Sequence, residues 1–142
     1  MIEKSFTPES IVLLEAKYRR NAQVDYEDEN FTSEVKFSIQ KDFDEEKIGI
    51  TLSIDFTSRL KEIIQIEISV KYIGIFISKE ADQESKERFA RITGPEIIFP
   101  FVREKIASLS ISGGLRPIYL PTLNFKKFEF IEEGSTEIEN SH

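Results

Sequence analysis

A single imidazole, His142, is all the sequence offers for acid–base chemistry near neutral pH or for nitrogen ligation of a metal. It stands at the end of the sequence, where a base or ligand is poorly held, so no catalytic role is expected of it. Cysteine is absent, which excludes thiolate nucleophiles, thiolate metal sites and disulfides. Gly113-Gly114 lacks the Lys and Ser/Thr that a phosphate-cradling loop needs. Among the 26 Asp and Glu residues a pair could serve as the acid and nucleophile of a glycosidase. They alternate with apolar residues or gather in polar loops, however, which is the pattern of a solvated face. The sequence therefore predicts no enzyme, no metal site and no cofactor. What remains is recognition through apolar surface.

Two stretches carry candidates for that recognition. Leu115-Arg116-Pro117-Ile118-Tyr119-Leu120-Pro121-Thr122-Leu123-Asn124-Phe125 contains two prolines, each of which biases the residue before it toward an extended shape. Its apolar side chains are Leu115, Ile118, Tyr119, Leu120, Leu123 and Phe125. An extended segment beside a helix can form the wall of a groove. Tyr119 and Leu115 are the residues expected to meet a partner; Ile118, Leu120 and Phe125 suit the chain's own core equally well. The second stretch precedes it. Ile97, Ile98, Phe101, Val102, Ile106 and Leu109 recur at helical spacing, and Gly113-Gly114 ends the helix. Ile97 and Phe101 are its candidates for contact, although the same stripe is suited to oligomerisation. Pro100 either sits in the first turn of this helix or kinks it.

These elements follow a run of strands. Val35, Phe37 and Ile39 alternate with polar residues, as do Ile48, Ile50, Leu52, Ile54 and Phe56, and then Ile64, Ile66, Ile68 and Val70. That is the period-2 signature of a sheet with one buried face. Thr57–Lys61 reads as a tight link between the third and fourth strands. In the first strand, Ile11 to Leu14 is apolar on both faces, so it belongs in a subunit interface or under a helix. Polar, acidic loops span Asn21–Asn30 and Asp42–Lys47. Asp28, Glu29 and Glu67 are candidates for docking a basic partner, with plain solvated turns as the alternative. Tyr26 and Phe31 border the first loop as rim candidates. Asp82–Arg91 predicts a short surface helix. Residues 1–131 read as one α+β domain and 132–142 as an acidic, flexible tail.

The composition narrows the partners further. With 142 residues and 39% hydrophobic content the chain has enough material for one core. The net charge is −7, and Lys and Arg are scattered among acids. No basic stripe for nucleic acid is present, and an acidic surface is repelled by anionic membranes. The first residues lack the apolar run of a signal peptide, and no stretch matches a membrane span, so a soluble cytoplasmic protein is expected.

Three fragments, in order, resemble one family. Gly74-Ile75-Phe76 at the end of the fourth strand is similar to a Gly-Ile-Phe of SecB-type export chaperones. Gly94-Pro95-Glu96-Ile97-Ile98-Phe99-Pro100-Phe101-Val102-Arg103 resembles the start of that family's long helix, proline included. Gly114 to Phe125, with Pro117, Pro121 and Asn124-Phe125, resembles its crossover segment. The resemblance implies a four-stranded antiparallel sheet with one long helix packed on one face, and a homotetramer built as a dimer of dimers. It implies a groove floored by the sheet and the long helix, holding unfolded polypeptides for export without ATP and delivering them to the SecA motor. Departures lie after Phe125. There the family continues with a second helix, but Lys126–Glu133 is short, its Phe128 and Phe130 suit a strand as well as a helix, and the tail is acidic. Two alternatives stay open: a dedicated chaperone of one partner such as an antitoxin, and a module binding a small apolar ligand.

Overall fold

The computed structural model describes residues 6–22, 31–128 and 133–139. Strands β1 (Phe6–Arg20), β2 (Phe31–Phe43), β3 (Lys47–Leu60) and β4 (Ile63–Ser78) come first. Helix α1 (Gln83–Arg88), a π-helical turn (Phe89–Thr93) and the long helix α2 (Gly94–Ser112) follow. A 3-10 turn at Phe125–Phe128 precedes a short strand, β5 (Glu133–Glu139). The sheet is antiparallel throughout, in the order β1-β4-β3-β2-β5. The four strands and long helix are those expected. The fifth strand falls where the sequence suggested a tail: seven residues of 132–142 pair with the β2 edge. No second long helix occurs among the described residues after α2.

Alternation places the core. Val35, Phe37 and Ile39, then Ile48, Ile50, Leu52, Ile54 and Phe56, then Ile66, Ile68, Val70 and Tyr72 are buried on one face. Helix α2 lays Ile98, Val102 and Ile106 over β3 and β4. Each such side chain, fully buried, is worth roughly 1.5–3 kcal/mol. Gly74 is required under this helix, because a Cβ there would sit 2.9 Å from the Ile98 side chain. The opposite face is polar and internally paired: Ser69 donates to Asp55 at 2.6 Å, and Arg59 lies 3.8 Å from Glu34.

Two strand details differ from the alternation as read. β3 runs on through Thr57 to Leu60, and the turn is only Lys61-Glu62, both with positive φ (51° and 67°). That conformation matches the twist of a two-residue hairpin, at some cost for residues that are not glycine. Beside it, Ser58 pairs with Ile66 but Arg59 with Ile64, so Gln65 is an extra residue in a bulge. The bulge reverses the phase: Gln65 is buried and Ile64, expected inside, is exposed.

β1 is an edge strand with irregularities at Pro8/Ser10 and Leu13/Glu15. Val12, Leu13 and Leu14 are 47%, 38% and 53% exposed, so no helix covers them. Phe31, expected at a rim, is buried at the start of β2. The short helix α1 is capped by Asp82, whose side chain accepts from the Ser85 N–H at 2.7 Å. Glu87 ties it to the sheet through Lys41 at 3.0 Å.

Candidate functional site

The end of α2 and the segment after it are held by local chemistry. Gly114, at φ 78°, lets the chain turn back: its N–H donates to the Ile111 carbonyl at 2.9 Å and the Leu115 N–H to the Ser110 carbonyl at 3.0 Å. This pair of bonds is a Schellman cap. Buried Ser110 adds a third tie. Its hydroxyl donates to the Ala107 carbonyl at 2.7 Å and accepts from the Ile118 N–H at 2.9 Å. Arg20 on β1 donates to the Gly113 carbonyl, placing a cation at the helix C-terminus. The extended segment then runs back beside α2, with Leu120, Leu123 and Phe125 buried as anchors. The Phe125 ring meets Phe37 edge-on at 5.5 Å and Phe99 at 6.1 Å.

Between α2 and this segment lies a groove of about 1360 Å³. One wall is a row along α2 at helical spacing: Phe99, Pro100, Arg103, Ala107 and Ile111. The other is Tyr119, Thr122, Leu123 and Phe125. Tyr119 is 67% exposed and Ile111 56%. Glu96, Arg103 and Glu104 put both signs of charge at the rim. Pro100 lies well inside α2, and lacking an N–H it leaves the Glu96 carbonyl without its usual helical donor.

The expected contact residues divide. Tyr119, Leu123 and Phe125 line the groove. Leu120 is fully buried, and Leu115, Ile118 and Ile97 pack half-buried against the core. Phe101 is 45% exposed but outside the groove, its ring tilted against Tyr72 at 6.0 Å. The α2 wall was not singled out in the sequence. Its signal is an i, i+4, i+7 row (Glu96, Pro100, Arg103, then Ala107 and Ile111) flanking the stronger apolar stripe that forms the core. Glu67 projects from the polar sheet face and lies 3.9 Å from Arg19. Asp28, Glu29 and Tyr26 lie outside the described residues.

No cluster that could hold a metal occurs among the described residues. Two phenols near α2 are perturbed. Burial, and secondarily the Glu104 carboxylate, push the Tyr72 hydroxyl above its usual range. Burial also raises Tyr18, with Arg20 opposing. Neither phenol lines the groove.

The family model of the preprotein translocase subunit SecB matches residues 15–132. The chain belongs to the SecB family. Among its relatives are protein-export proteins SecB of Anaplasma marginale (strain Florida), 28% identical over 92 residues, and of Rickettsia felis, 25% identical over 124 residues. These alignments cover 64% and 87% of this chain, and 53% and 74% of the relatives. The chain thus spans about half the length of the first of these SecB proteins. In fold it is similar to a SecB-like chaperone of Mycobacterium tuberculosis solved in complex with a ChAD peptide from the HigA1 antitoxin. The TM-score is 0.75 at 17% identity, covering 87% of this chain and 94% of that one. No described helix is long and apolar enough to cross a membrane.

Proposed function

We propose that this SecB-family chain is a holding chaperone that binds unfolded polypeptides in the groove between α2 and the Leu115–Phe125 segment and keeps them soluble for export. The observation that carries this is Tyr119, a large ring left 67% exposed over an open groove by a segment otherwise nailed down at Leu120, Leu123 and Phe125. Exposed apolar surface of this kind normally marks a binding site. Binding the unfolded state shifts the folding equilibrium by mass action, so no ATP, metal or cofactor is needed. The net charge of −7 favours solubility of the loaded assembly.

Val12, Leu13 and Leu14 on the β1 edge support assembly with a second copy, since an exposed apolar edge strand is ordinarily paired or covered. We place the protein in the cytoplasm as a homotetramer, a dimer of dimers, whose several grooves add avidity. The SecA motor is the proposed receiver of clients. Tyr119 is the proposed client contact, with Pro100 and Ile111 on the α2 wall, while Leu123 and Phe125 are the buried anchors that hold the segment in place.

The test is light scattering of the purified protein, alone and with a chemically unfolded client, without ATP. An oligomer that holds the client in a soluble complex is expected. Precipitation of the client at a molar excess of the protein overturns the proposal. Capture of one partner such as an antitoxin, but of no unrelated unfolded chain, would replace it by a dedicated chaperone; saturable uptake of a small lipid by a monomer would replace it by a ligand-binding module.

A further inference from the structure

Both walls of the groove start from one point, the end of α2. One wall is the helix itself; the other leaves it at Gly113-Gly114 and is next anchored at Leu120, which is fully buried. The intervening strap, Leu115–Tyr119, has no regular secondary structure and carries Tyr119, the exposed ring of the second wall. With its far end anchored, such a strap bows toward or away from α2 according to the direction in which the turn releases it.

Two side chains of β1 hold that turn from outside the helix. Arg20 donates through Nη1 to the Gly113 carbonyl, and a Cβ on Gly114 would lie 3.6 Å from the same nitrogen, so the guanidinium reaches both glycines. The Tyr18 ring lies so close to Gly113 that a Cβ there would run into it. This end of β1 is itself fixed to the sheet: Tyr18 pairs with Ile68 and Arg20 with Ile66, both buried, and the Asn21 N–H donates to the Gln65 carbonyl at 2.8 Å. The helix cap is already completed by the Gly114 and Leu115 amides. What the β1 residues add is a direction for the turn, set by the sheet rather than by α2 alone. Neither side chain lines the groove.

We propose that Arg20, with Tyr18 beside it, is a positioning residue for client binding: it holds the Gly113 turn, does not touch the client, and keeps the Leu115–Tyr119 strap at the spacing from α2 that the groove requires. This rests on the holding-chaperone proposal. A wall already held in place loses less freedom when a client settles against it, and the difference appears as affinity.

The test is a double-mutant cycle read by anisotropy of a dye-labelled, carboxymethylated unfolded polypeptide. Arg20→Met keeps an aliphatic stem and removes the donor; it is expected to bind about five- to tenfold more weakly. Arg20→Lys, which still donates to a carbonyl, should recover part of that loss. In the Tyr119→Ala background, with no ring left to position, Arg20→Met should cost less than about a further twofold. Hydrogen exchange follows the strap directly: the Leu115 and Ile118 amides should exchange faster in Arg20→Met, while those of β3 and β4 keep their protection. Where Arg20→Met does not fold, Tyr18→Leu withdraws the ring from the same turn and carries the same cycle. Parent-like affinity in Arg20→Met overturns the proposal. So does an undiminished loss in the Tyr119→Ala background, which would show Arg20 acting on the client or the fold and not through the strap. Parent-like binding by Tyr119→Ala alone overturns the groove reading instead, and a parent chain that binds no client overturns the holding proposal itself.

Discussion

Replacing Tyr119 by Ala should separate client binding from folding. The residue is 67% exposed, next to Leu120 at 0%. A tyrosine carries about 200 Å² of buriable surface, so roughly 130 Å² is left for a partner to cover. At about 25 cal/mol per Å² the ceiling is roughly 3 kcal/mol. The hydroxyl and incomplete coverage reduce that to about 1.5–2 kcal/mol, a loss of about 10- to 30-fold in affinity. Stability should change by no more than about 0.5 kcal/mol, because the ring touches little of its own chain. Leu120→Ala is the matched control: it empties a fully buried site and should cost about 2–5 kcal/mol of stability. Urea denaturation measures the stabilities, and anisotropy titration with a labelled unfolded polypeptide measures binding. If Tyr119→Ala binds within about twofold of the parent, less than 0.5 kcal/mol, the groove is not where clients sit. If it loses more than about 1 kcal/mol of stability, Tyr119 is a folding residue and the distinction drawn between it and Leu120 fails.

Three further outcomes are expected. Leu14→Glu, placing a charge on the exposed β1 edge, should lower the mass seen by light scattering; an unchanged mass would remove β1 from the subunit interface. Gly113→Ala would drive a Cβ into the Tyr18 ring and should cost about 1–3 kcal/mol, with Tyr18→Leu recovering part of it; additive effects of the two changes would refute the contact. The hydrogen bond from Lys41 holds the Glu87 carboxyl below its ordinary range against an opposing effect of burial, with Gln83 and Arg91 assisting. A depressed carboxyl stabilises the fold above the unfolded glutamate value, about 4.3, and that contribution fades as pH falls through the lower folded value. With the Glu87 side chain 35% exposed the effect is screened to below about 1 kcal/mol. Lys41→Met should flatten that acid-side slope in urea midpoints, and an unaltered slope would show that this pair contributes nothing.

The residues themselves settled much of the fold. Alternating Ile, Val and Phe define two faces in β2, β3 and β4 whatever surrounds them, because side-chain direction in a strand has a period of 2. The turn at Gly113-Gly114 needs a positive φ that glycine adopts freely, and Gly114 has it. That cysteine is absent and histidine occurs once is a matter of composition alone.

Tertiary structure decided what local pattern leaves open. Ile64 continues the alternation in sequence but lies outside, because a bulge at Gln65 shifts the register with β3. Along Leu115–Phe125 the sequence set Tyr119 and Leu115 apart from Ile118, Leu120 and Phe125; the positions of α2 and β2 bury Leu120, Leu123 and Phe125, leave Leu115 half-buried and leave only Tyr119 well out. The α2 wall of the groove was hidden behind the stronger core stripe for the same reason: a helix row becomes a wall only when something lies opposite it. Glu133–Glu139 has little strand propensity of its own and is a strand because β2 presents an edge to pair with, a partner about a hundred residues away in the chain that no local pattern specifies.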